Sequence, residues 1–176
     1  MLASKRQTSS FSTTGLDWNA NVTEIPIAMV GKEDADFIAR VTKEKPVTVE
    51  YQYTVEIGGP TEVNNIVAEI RGSEHPEQFV LLGAHFDSWD LATGAQDNGS
   101  GSAEVMEAAR VLASLKTPPK RSIRFALWGG EEEGIIGSRA YVKQHAAEMA
   151  NCIANLNTDN GAGAWRVGPL RATTRR

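Results

Sequence analysis

Between Asn65 and Thr158 the sequence alternates short apolar runs of strand length with helical patterns, and that alternation constrains the fold more than any other feature. NIVAEIR, FVLLGA, RSIRFALW and CIANLNT read as strands. SAEVMEAARVLASL, after the second run, and SRAYVKQHAAEM, after the third, carry apolar residues at helical spacing. In the first of these helices Val105, Ala109 and Leu112 form the expected inward stripe, with Met106 and Ala113 beside it. Such alternation predicts an α/β class built on one sheet. With 176 residues, 41% of them hydrophobic, the chain is long enough to bury a core. A net charge of −4 and dispersed basic residues leave no footprint for nucleic acid or an anionic membrane surface. No apolar run approaches the roughly 20 residues of a membrane span.

The acidic residues and one histidine collect just past predicted strand ends. His85 and Asp87 follow FVLLGA, Glu131 and Glu132 follow RFALWGG, and Asp159 follows IANLNT. In open α/β sheets ligands bind outside the carboxyl ends of the strands, so these side chains are aimed at one place. The glycine-rich turn GAQDNGSGS adds Asp97 immediately before a helix. So many carboxylates in one cleft repel one another and raise their own pKa values unless a cation sits among them. A divalent metal answers that need. Imidazole with carboxylates and no thiolate suits catalytic zinc, and tolerates cobalt or manganese. The one cysteine, Cys152, excludes an internal disulfide and is expected to be a buried structural thiol.

The motifs HFDSWD, GAQDNGSG, ALWGGEEEG and NLNTDNGAG, in that order, resemble the co-catalytic zinc exopeptidases of the bacterial leucyl aminopeptidase and glutamate carboxypeptidase type. The serine-tryptophan-aspartate after His85–Asp87 is similar to the carboxypeptidase Q branch. The resemblance spans about residues 62–163 and implies a three-layer sandwich around a mixed, mostly parallel sheet, truncated at the C-terminus. It implies two zinc ions, with His85 and Asp159 on the first, Glu132 on the second and Asp97 bridging both. Glu131 becomes the general base and Asp87 the group that orients the imidazole. The Asp97–Asn98 peptide bond becomes a candidate for the cis form. The implied substrate is a peptide or dipeptide. The implied setting is secreted or periplasmic, although the opening residues lack the apolar core of a signal peptide.

Each site residue has a plainer reading. Asp97 could cap a helix, Glu131 to Glu133 could be a solvated run at a helix start, and Asp159 could only form a turn. Glu133 suits that plainer role. His75, in a predicted turn, and His145, in mid-helix, read as surface residues, and Trp89 and Trp128 as packing. Asn21-Val22-Thr23 fits the glycosylation pattern.

Residues 1–58 read as a linker and the remnant of a protease-associated insert domain, with a helix near Lys32–Thr42 and an alternating strand from Pro46 to Ile57. Residues 59–163 read as the N-terminal part of the catalytic core, and 164–176 as a tail unlike the family. The family also uses a histidine beyond Asp159 for its second zinc, and this sequence has none after His145. An exposed sheet edge and the possibility of a homo-oligomer covering it follow from that reading. Two other functions fit the same residues: single-zinc acyl transfer of the glutaminyl cyclase type, and a non-catalytic interaction module on the peptidase fold.

Overall fold

The computed structural model describes residues 2–3, 29–50, 52, 58–89 and 92–159. The glycosylation pattern at Asn21, residues 53–57 of the expected strand and the 164–176 tail lie outside the described residues. The chain divides into two compact units, Met1–Glu62 and Val63–Arg176. In the first, β1 (Leu2–Ala3) pairs in parallel with β2 (Met29–Val30). Helix α1 (Lys32–Val41) follows, with Glu33 and Asp34 in its first turn and Arg40 in its last, as the helix dipole favours. The expected strand from Pro46 is not formed over 46–50, where the backbone is irregular and Val47 and Val49 are exposed. Alternating residues describe a face that could be buried, but a strand exists only with a partner to complete its hydrogen bonds.

The second unit holds a four-stranded sheet of β3 (Ile66–Ile70), β4 (His75–His85), β5 (Arg121–Trp128) and β6 (Cys152–Asn157). Its order is β3-β5-β4-β6; β3 is antiparallel to β5, and β4 is parallel to both β5 and β6. This is the expected mixed, mostly parallel sheet, and helices cover both faces of it. On one face, α2 (Ser100–Ala113) packs Val105 against Ala84 and Phe125. On the other, α3 (Ile136–Gln144) brings Tyr141 against Phe79, Leu81, Ala126 and Trp128. Central strand β4 feeds both cores because successive side chains alternate faces.

Several boundaries differ from expectation. The inward stripe of α2 is Val105, Ala108, Ala109 and Leu112, while Met106 is 56% exposed and Ala113 is also exposed. Each residue turns about 100° around a helix, so a neighbour of the stripe leaves the contact within one step. Helix α3 starts earlier than predicted and stops at Gln144, so His145 is its C-cap and not a mid-helix residue. There the imidazole lies against the Tyr141 ring, centroids 4.3 Å apart, and its Nδ1 is 2.8 Å from Glu148 Oε1. His75 is the first residue of β4 instead of a turn residue, and is exposed. Cys152 is only half-buried, packed beside the Phe79 cluster, and that burial pushes its thiol up. Trp128, by contrast, is core, as its packing role requires.

Candidate metal centre

His85 ends β4, and the residue is buried to 1% exposure at a point where β5 and β6 flank it. The last residue of β5, Trp128, leads through Gly129 and Gly130 to Glu131 and Glu132, and β6 leads through Thr158 to Asp159. The parallel order of these three strands puts all three exits at one end of the sheet. Asp97 arrives from the kinked turn Ala95–Gly99, which stands between β4 and α2, and its bond to Asn98 is cis, as the resemblance implies.

The imidazole is the hub. His85 Nε2 lies 2.9 Å from Asp159 Oδ1, 3.2 Å from Asp97 Oδ1 and 3.9 Å from Glu131 Oε2. Ligand atoms of His85, Asp97 and Asp159 all fall within 4.8 Å of one another, close enough to share an ion. On its other side, His85 Nδ1 is 3.0 Å from the main-chain oxygen of Asp87 and 3.7 Å from its carboxylate. The Asp87 carboxylate has a different hydrogen bond, accepting the Glu132 backbone N–H at 3.1 Å through Oδ2. Asp87 therefore touches both the imidazole and the glutamate loop.

The clustered charges shift one another's titration. Burial would lower the His85 pKa, but the hydrogen bond and charge of Asp159, with Glu131 behind it, hold it above the usual value. Glu131 is raised, first by burial and then by Asp159, Asp87 and Asp97 against the opposing pull of His85. Glu132 is pushed up to about 7 by burial and by the charge of Asp97. Asp87 Oδ1 and Glu132 Oε1 are buried with no hydrogen-bond partner, a costly state for oxygens that could ligate a cation. Imidazole, carboxylates and orphaned oxygens together fit a divalent metal of the zinc type.

The six residues singled out from sequence thus meet at one end of the sheet, and a second set that holds them was not foreseen. Asn98, 1% exposed, donates from Nδ2 to Thr158 O at 2.8 Å and accepts the Gly101 N–H at 3.1 Å, joining the Asp97 turn to the Asp159 strand end and α2. Ser102 Oγ donates to His85 O at 2.9 Å, and Trp128 Nε1 donates to Asn157 Oδ1 at 3.3 Å. Asn65 bonds both ends of the Gly129–Gly137 loop. Asn98, Ser102, Trp128 and Asn157 all lie within the stretches GAQDNGSGS, ALWGGEEEG and NLNTDNGAG, while Asn65 lies outside them and looks like an ordinary loop residue in one dimension.

The sequence profile of peptidase family M28 matches residues 65–170. Carboxypeptidase Q of Bos taurus is 35% identical over 162 residues, covering 89% of this chain and 34% of the relative. The crystal structure of a peptidase M28 precursor from Shewanella amazonensis SB2B superposes with a TM-score of 0.71 at 40% identity, over 81% of this chain and 33% of that one. A zinc aminopeptidase from Bacillus subtilis gives a TM-score of 0.54 at 28% identity, over 80% of this chain and 33% of that one. The chain spans about a third of the length of the relatives it matches. Among the described residues no helix is long and apolar enough to cross a membrane. By its sequence and by the architecture that carries the His85 cluster, the chain belongs to peptidase family M28.

Proposed function

We propose that this chain supplies the metal-binding part of a metallo-exopeptidase that hydrolyses terminal peptide bonds or dipeptides. The observation that carries the reading is the convergence of His85, Asp97 and Asp159 on one point at the strand ends of an M28 fold. His85, Asp97 and Asp159 would hold one zinc ion, and Asp97 with Glu132 a second. Bound there, zinc supplies Lewis acidity toward a peptide carbonyl and lowers the pKa of a water. The remaining steps belong to the protein. The Asp87 carbonyl accepts the Nδ1 proton of His85 and so fixes the tautomer that leaves the Nε2 lone pair for ligation. Glu131, adjacent to the ligands and already raised in pKa, takes a proton from the attacking water and returns it to the departing amine. We read residues 59–163 as the N-terminal part of the catalytic core. The parent enzyme is read as secreted or periplasmic. β6, where Ile153 and Leu156 are exposed, is the sheet edge a second copy would cover.

The test is a zinc titration of the purified chain, followed by assay on aminoacyl nitroanilides and dipeptides beside a Glu131→Gln variant. Zinc held tightly by His85, Asp97 and Asp159, a second ion held more weakly because the family's further histidine is absent from this sequence, and any turnover abolished by Glu131→Gln are the expected results. A stoichiometry of one together with acyl transfer in place of free amino acid release would favour the single-zinc acyl-transfer alternative. Absence of zinc binding, or turnover unaltered by the substitution, would overturn the ligand set or the base respectively.

A further inference from the structure

We propose that Asn65, at the head of β3, is the positioning residue for the Gly129–Gly137 loop, and that it aims Glu132 at the second metal. The inference rests on the two-metal reading. Gly129 N–H donates to Asn65 Oδ1 at 3.2 Å, and Asn65 Nδ2 donates to Gly137 O at 2.8 Å. One side chain, distant in sequence, therefore grips both ends of the segment that presents Glu131 and Glu132. The neck it grips is closed tightly. Gly137 N–H donates to Gly129 O at 3.0 Å and Ile136 N–H to Gly130 O at 2.8 Å. A Cβ at Gly137 would lie 2.2 Å from Asn65 Oδ1 and 2.4 Å from Gly129 O, so the bracket and the neck leave no room for a side chain there. At the opposite end of the loop the Asp87 carboxylate accepts the Glu132 N–H. Between these pins Ile135 is held at φ 61°, a left-handed conformation that a β-branched residue keeps only where its surroundings dictate it. The loop is thus imposed from outside, and Asn65 supplies the outside contact at its neck.

The chemistry of the side chain is specific. Only an amide offers a donor and an acceptor at once in this planar geometry, one for the Gly137 carbonyl and one for the Gly129 N–H. Aspartate keeps the acceptor, loses the donor and sets a negative charge beside a carbonyl oxygen. Alanine loses both.

The test measures zinc affinity by chelator competition for the wild type, Asn65→Ala, Asn65→Asp, Glu132→Gln and the double variant Asn65→Ala/Glu132→Gln, with circular dichroism to confirm folding. Removing groups that orient metal ligands typically weakens binding 10–100-fold. Asn65→Ala is expected to weaken the second zinc by at least about tenfold within that range, leaving the first within about twofold. In the Glu132→Gln background the same substitution is expected to leave the first zinc within about twofold, whereas a general structural role would weaken it. If Asn65→Ala melts below the assay temperature, the isosteric Asn65→Asp takes its place. A second zinc that Glu132→Gln abolishes but the Asn65 variants leave intact overturns the proposal alone. A chain that binds one zinc, unaffected by Glu132→Gln, overturns the two-metal reading and the proposal with it.

Discussion

Gly83 pairs with Ala126 of β5 and Asn157 of β6 at the centre of the sheet, and substituting it by alanine probes how the strand ends are locked together. The missing Cβ would lie 2.5 Å from Trp128 Nε1, 2.9 Å from Asn157 Oδ1 and 3.1 Å from Trp128 Cε2. The indole and the Asn157 amide, joined at 3.3 Å, occupy the space above the glycine. Both would have to move, yet Trp128 is only 6% exposed and has little room. Overpacking of this kind costs about 1–3 kcal/mol. A buried indole N–H parted from its acceptor adds about 1–3 kcal/mol. The entropy that alanine removes from the unfolded chain returns about 0.4–1 kcal/mol. Gly83→Ala is therefore expected to destabilise by about 3 kcal/mol, near the middle of the range these terms give. Trp128→Phe removes Nε1 and the ring atoms beside it, so in that background the same alanine meets far less. Urea unfolding followed by far-ultraviolet circular dichroism measures all four members of the cycle. The expected coupling is about 2 kcal/mol, well above the roughly 0.3–0.5 kcal/mol within which independent sites add. Equal costs of Gly83→Ala in the two backgrounds would refute the reasoning.

Two further outcomes follow from the core and from the Arg124 network. Phe79, 1% exposed, belongs to the core cluster with Leu81 and Tyr141 and lies 4.1 Å under the Arg124 guanidinium, so Phe79→Ala is expected to cost about 3–5 kcal/mol in urea unfolding. A loss under about 1 kcal/mol would contradict that packing. Hydrogen bonds from His145 and then Arg124 hold Glu148 below the usual carboxylate range. A depressed folded pKa adds stability above the unfolded value, about 4.3, and that stability fades as pH falls through the folded value. The melting-temperature gap between the wild type and Glu148→Gln is then expected to be present at pH 6 and to close toward pH 3; a gap that widens on acidification would reverse the sign.

The fold was legible where local pattern and burial agree. RSIRFALW is a strand at the bounds its pattern suggests, because its alternate residues feed the two cores on either face of the sheet. The helix near Lys32 likewise shows in its own residues, with acids first and arginine last. Val47 and Val49 show the opposite case, an alternating pattern without a partner strand over 46–50. Of the site, His85, Asp97, Glu131, Glu132 and Asp159 were legible because the carboxyl ends of parallel strands collect chemistry, and the structure brings them together. What was not legible is the set of amides and hydroxyls that clamp them. Asn65 and Gly137 are 72 residues apart, and nothing in either one's neighbourhood announces the other. The two contacts of Asp87, its backbone oxygen on the imidazole and its carboxylate on the Glu132 N–H, were not separable in the sequence.

The strand that ends in His85 has a hydrogen-bonded neighbour strand on each side, whereas Glu131 and Glu132 hang from a loop closed by backbone hydrogen bonds at its neck and pinned by the side chains of Asn65 and Asp87. Opening free energies follow such differences, reaching the global value in central strands and falling toward zero in surface loops. In hydrogen exchange the amides of β4 are therefore expected to exchange more slowly than those of the glutamate loop. Native-state hydrogen exchange across the site is thus expected to separate the His85 strand from the tip of the loop that carries Glu131 and Glu132.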